Sequence, residues 1–119
     1  MSDIDIRPGQ SIELLKALHI LTRDGKMNQD SRRKLKQVYH LFQFIETLLQ
    51  ALAEESRAVT LVDHGAGKSY LGFILYDLFF KTRDDGSHIY SIETRTELVE
   101  RARDLAQRAG FTRMSFFPL

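Results

Sequence analysis

The chain has 119 residues, 43% of them hydrophobic, with a formal net charge of +1 and no cysteine. This is one domain's worth of sequence with enough apolar residues for a packed core, and it excludes disulfides, thiol nucleophiles and cysteine-ligated zinc. The balanced charge gives no bulk argument for nucleic acid. With no signal-peptide core and no run near ~18 apolar residues, the expectation is a soluble, cytoplasmic protein without a membrane segment.

Two helices are expected in the first half. Pro8 and Gly9 break the opening, and Ser11 caps a helix running to about Leu21, with Leu14, Leu15, Leu18 and Ile20 available for burial. Asp24-Gly25-Lys26 makes a turn. Asp30 or Ser31 then starts a longer helix to about Glu54, whose Leu35, Val38, Phe42, Ile45, Leu49 and Leu52 recur in steps of three and four. That stripe packs on a sheet or on a partner's equivalent helix. The start of this helix is locally basic, with Arg32, Arg33, Lys34 and Lys36 close behind Arg23 and Lys26. Glu54-Glu55-Ser56-Arg57 is a short polar connector, so a helical segment, 1–57, is expected to pack against a second segment, 58–119.

The second half alternates strand and helix. Ala58 to Val62 is a short apolar run and a glycine-rich turn follows. Tyr70 to Phe80 is helical, and Ser87 to Glu93 reads as a strand ending in a carboxylate. Glu97 to Ala109 is a helix with Leu98, Ala102, Leu105 and Ala109 on one face, Gly110 is its C-cap, and Met114 to Phe117 is a third strand. The fold class is therefore α/β: a Rossmann-like half sheet of about three parallel strands, order 3-2-1, preceded by two helices.

The turn Asp63-His64-Gly65-Ala66-Gly67-Lys68-Ser69 carries the chemistry. Strand, glycine-rich loop and helix together form a nucleotide-binding layout, in which small residues let the backbone approach a ligand. Gly67-Lys68-Ser69 matches the end of a phosphate-gripping P-loop, but the first glycine of that pattern falls on Val62. A dinucleotide fingerprint would need a glycine at Tyr70, where the bulky ring opposes close helix–strand packing. Asp63 also disfavours a diphosphate and suits a cationic ligand. Glu93, closing the second strand, can accept hydrogen bonds from both hydroxyls of a ribose.

Asp63-x-Gly65-x-Gly67 closely resembles the first motif of class I S-adenosylmethionine-dependent methyltransferases. The longer run from Val62 to Leu71 is similar to the D-x-G-x-G-K-G-Y-L version of a subfamily related to ribosomal-RNA adenine dimethylase-like proteins, with Ser69 at the usual glycine. The resemblance implies S-adenosylmethionine as cofactor, held by Asp63, His64, Gly65, Ala66, Gly67, Lys68, Tyr70 and Glu93. It also implies RNA as substrate class, with Arg32 and Arg33 meeting phosphates and Lys34 and Gln37 facing the entrance. No metal site is expected, since His19, His40, His64 and His88 lack ligand spacing.

Such enzymes usually have seven strands, and this sequence stops near the third with no D/N-P-P-Y/F motif. The expectation is a cofactor-binding half, truncated or abbreviated, inactive alone and with no assignable catalytic residue. Its first strand would leave an apolar edge, covered by the N-terminal helices or paired in a homodimer or a strand- or domain-swapped oligomer. Two other functions stay open. One is a P-loop nucleotide hydrolase using Lys68, Ser69 and Mg²⁺; the other is a non-catalytic, degenerate methyltransferase module that binds a partner.

Overall fold

A computed structural model describes residues 10–55, 58–83 and 85–119. Pro8, Gly9 and the Ser56-Arg57 end of the connector lie outside these residues. Helix α1 (Ile12–Ala17) starts where Ser11 Oγ accepts the Leu14 amide at 3.1 Å. It ends well before Leu21. His19 turns left-handed at φ 59°, and the amides of His19 and Ile20 close back on the carbonyls of Lys16 and Leu15. This Schellman ending brings Ile20 against the helix it leaves, and Leu15 and Ile20 are both fully buried. Glycine is the usual mark of such an ending, and here a histidine takes its place.

Helix α2 (Gln29–Glu54) begins at Asn28, whose side chain accepts the Ser31 amide at 2.8 Å. Leu35, Val38, Phe42 and Leu49 are buried as the stripe requires, joined by Tyr39, while Ile45 is half-buried. Leu52 is exposed, together with Leu41, Phe44 and Leu48. These four recur in steps of three and four on a second face of α2, turned away from the buried stripe that runs as far as Leu49.

The sheet holds β1 (Thr60–His64), β2 (His88–Ile92) and β3 (Met114–Phe117), all parallel and ordered β1-β2-β3. Asp63 stands beside Ser91, and Ser91 beside Phe116. Successive right-handed crossovers running the same way place α3 (Tyr70–Leu75) and α4 (Thr96–Ala109) on one face. The burial pattern agrees. Ile89, Ser91, Met114 and Phe116 are buried on that face, whereas Thr60, Val62, His64 and Phe117 on the other are exposed. Helix α3 packs directly on the sheet at Gly72, where a Cβ would make an ordinary contact, 3.5 Å from Met114 Cε and from Ser91 Oγ. Among the described residues no strand pairs with the outer side of β1.

Two details differ from the sequence pattern. Helix α3 continues as a π-helical turn, Tyr76–Phe80, in which the Lys81 amide reaches the Tyr76 carbonyl at 2.7 Å. On α4 the buried positions are Val99, Ala102, Leu105 and Ala106, while Leu98 is half-buried and Ala109 exposed. The helix is rotated so that the β-branched Val99 faces inward. Gly110 ends it left-handed at φ 75°. One hydrophobic core joins both halves of the chain, from Leu14 and Phe42 to Phe73, Phe111 and Phe116. Among the described residues no helix is long and apolar enough to cross a membrane.

Candidate functional site

The C-terminal ends of β1 and β2 and the loop between β1 and α3 form one cradle. Gly65 and Gly67 adopt φ 67° and 60°, and Ser69 follows at φ 65°. Left-handed backbone at every second residue turns the chain sharply from strand into helix, and glycine takes this conformation without penalty. The loop is tied to the sheet by the Ala66 amide on the Ile92 carbonyl at 2.9 Å and the Gly67 amide on Glu93 Oε1 at 2.9 Å. Nothing lies within 4 Å of a Cβ built on Gly65, so the loop surface is open there.

Two carboxylates flank this loop and differ in their surroundings. Asp63, on β1, is half-buried and accepts no hydrogen bond among the described residues. Burial pushes its carboxyl up from the ordinary value, an effect partly offset by His64. Glu93, at the end of β2, is buried but saturated with donors. The Arg95 side chain, then the Arg95 and Gly67 amides, hold its carboxyl down at about 2. One acid has no protein donor among the described residues and the other is locked.

Of the remaining expected residues, Ala66 is half-buried, His64 and Lys68 are exposed, and Tyr70 opens α3. The start of α2 reaches the same place. Lys34 Nζ lies 5.7 Å from the centre of the Tyr70 ring and 3.0 Å from Asp30 Oδ2. Asp30 and Tyr70 together hold the Lys34 ammonium above its ordinary value, and Asp30 also feels Lys68. Arg33 pairs with Asp30 at 3.6 Å on the surface, and Gln37 is exposed. Arg32 is half-buried, and its Nε has no hydrogen-bond partner among the described residues. Arg95 and Asp30 were not apparent as site residues in the sequence. The signal for Arg95 was its place two residues after a strand-end acid and just before a helix.

The geometry opposes a phosphate grip. Val62, where a P-loop has its first glycine, lies inside β1, and Glu93 takes the Gly67 amide that would face an anion. A cleft of about 250 Å³ beside Lys68, Tyr70 and Phe73 opens between α1 and α4. A wider one of about 1030 Å³ lies further away, between α1 and the C-terminal end of α4. At Gly65 the cradle is open to solvent. Among the described residues no three His, Asp or Glu side chains group to hold a metal ion.

A parallel sheet with an acid-flanked, glycine-rich turn at its C-terminal edge defines a Rossmann-like α/β domain of the nucleoside-binding kind. The family of methyltransferase domains has a model that matches residues 33–119, and the chain belongs to that family. The matched stretch starts within α2 and takes in the whole sheet. A crystal structure of a point mutant of MtNAS is similar, with 18% identity over 88% of this chain and a TM-score of 0.45. The same mutant in complex with S-adenosylmethionine aligns with 17% identity over 91% of this chain and a TM-score of 0.44. This chain spans 37% and 39% of those two structures. No curated protein matches it in sequence.

Proposed function

We propose that this chain binds S-adenosylmethionine on the Gly65–Gly67 shelf and forms the cofactor-binding part of a methyltransferase that acts on RNA. The observation that carries the reading is the pair of unlike acids. Asp63 is a half-buried carboxylate that accepts no hydrogen bond among the described residues, suited to an ammonium or sulfonium cation. Glu93, just past the end of β2, is an ionised carboxylate of the kind that accepts ribose hydroxyls, its lone pairs here held by the Gly67 amide and Arg95. Bound there, the cofactor supplies an activated methyl group. The chain's own residues bind and orient it: Gly65, Ala66 and Gly67 form the floor, and His64, Lys68 and Tyr70 stand at the rim. Methyl transfer also needs an acceptor held in line with that methyl group, and no residue is assigned to that role.

RNA as acceptor rests on the likeness of the loop to dimethylase-related proteins and on the basic start of α2. Lys34 stands at Tyr70, next to the loop, with Arg32 and Arg33 beside it in sequence. Self-association through the β1 edge is part of the same reading, since no strand pairs with that edge among the described residues. The deciding experiment is calorimetric titration with S-adenosylhomocysteine and with Mg²⁺-ATP, on the wild type and on Glu93→Ala. Binding of the homocysteine compound that Glu93→Ala abolishes is expected. Binding of Mg²⁺-ATP alone would overturn the reading in favour of a P-loop protein. Charge reversal at Arg32 and Arg33 should weaken RNA binding while leaving S-adenosylhomocysteine affinity unchanged. An equal fall in both would remove RNA from the proposal.

A further inference from the structure

The Glu93 carboxylate is already full. Its Oε1 accepts the Gly67 amide at 2.9 Å and Arg95 Nη2 at 3.4 Å. Its Oε2 accepts the Arg95 amide at 2.9 Å and Arg95 Nε at 2.8 Å, with Thr94 Oγ1 further off at 3.5 Å. A carboxylate offers about four lone-pair positions, so two backbone and two guanidinium N–H groups leave none for a ligand.

These four donors are not equally fixed. The Gly67 amide belongs to the loop, and the Arg95 amide sits at the N-cap of α4, where the Arg95 carbonyl receives the amides of Leu98 and Val99. The guanidinium is on a side chain that is 61% exposed. It overhangs the loop: a Cβ built on Gly67 would lie 3.8 Å from Nη2. A second acid, Glu97 in the first turn of α4, is within electrostatic reach of it.

We propose that Arg95 is a latch on the ribose subsite: its guanidinium closes Glu93 in the free protein and swings away when a ribose cis-diol docks. The exchange is two for two. The two guanidinium N–H groups leave Glu93, the two ribose O–H groups replace them, both backbone N–H bonds stay, and Glu97 receives the released cation. This makes Arg95 a positioning residue that sets cofactor affinity through Glu93, and it rests on the cofactor reading above.

The test is calorimetry of the full chain with S-adenosylhomocysteine and with its 2′,3′-dideoxy counterpart, on the wild type, Arg95→Met and Arg95→Lys. Removing two competing bonds from a solvent-exposed guanidinium should tighten S-adenosylhomocysteine binding by about three- to tenfold in Arg95→Met. Arg95→Lys, which keeps a cation for Glu93, should stay within about twofold of the wild type. The dideoxy compound has no diol to exchange, so its affinity should be unchanged by Arg95→Met. Binding by Arg95→Met alone would also support the latch, held shut in the wild type. Unchanged or weaker binding by Arg95→Met, with the wild type binding, would make Arg95 a mere support for Glu93 and leave the cofactor reading standing. Binding by none of the three proteins would bring down the cofactor reading, and the latch with it.

Discussion

Asp63→Asn should have opposite effects on binding and on stability. The wild-type carboxylate is half-buried and accepts no hydrogen bond among the described residues, so the partial loss of its hydration on folding is not offset by a protein donor. A cationic ligand group would supply the missing partner. Hydrogen bonds to a charged group are worth about 1.5–3 kcal/mol, so losing one should weaken S-adenosylhomocysteine binding by about 10- to 150-fold. The neutral amide, nearly the same size, should raise the melting temperature. Because burial raises the Asp63 carboxyl above its unfolded value, its destabilising effect is absent in acid and complete above the folded pKa. The stability gain of the variant should therefore shrink as pH falls through that value and vanish below the unfolded one. Ligand affinity of the wild type should fall over the same range, at higher pH than an ordinary aspartate would give. Calorimetry and thermal scans from pH 4 to 8 measure both. A variant that melts lower and binds equally well would show that Asp63 is structural.

Asp77 presents the contrasting case of a buried acid that is fully used. Its side chain is completely buried, with Oδ2 accepting the Ser11 amide at 2.6 Å and Oδ1 paired with Lys81 Nζ at 2.7 Å. Asp77→Ala should cost roughly 3 kcal/mol in urea unfolding, and Asp77→Asn, which can still accept the Ser11 amide, clearly less. Equal losses in the two variants would contradict this account. Ser69 bears a left-handed φ of 65° in a buried site. That conformation costs a non-glycine residue roughly 1–2 kcal/mol, and glycine returns about 0.5–1 kcal/mol of it as unfolded-chain entropy. Ser69→Gly should therefore stabilise by about 0.5–1 kcal/mol, and a lower melting temperature would refute the strain.

Elements with strong local signals were legible in the sequence. The stripe on α2 as far as Leu49, the Gly110 cap, the loop glycines and the acids Asp63 and Glu93 fall where periodicity and turn chemistry put them, whereas Leu52 is exposed. What escaped depends on contacts between distant segments or on unusual residues in special conformations. The end of α1 was hidden because His19 does the work that glycine usually marks. The inward face of α4 turned on one position, Val99 in place of Leu98. The π turn that carries Asp77 was invisible because its partner, the Ser11 amide, is 66 residues away in the chain. Arg95 was missed for another reason. Spacing can show that an acid closes a strand, but it does not show what already occupies that acid.

The strand order has a consequence for how the chain folds. Each strand pairs with the one next to it in sequence, so the sheet grows outward from β1 in a single direction. Each crossover brings together residues only about 25 to 30 positions apart, such as Leu61 with Ile89 and Ile89 with Met114. Among these three strands, loop closure is then a series of short steps, each needing only chain that has already been made. A chain emerging from the ribosome could lay β2 on β1, then β3 on β2, in the order of synthesis. Among the described residues β1 is paired on one side alone, so in that order of assembly its outer side is the surface exposed longest.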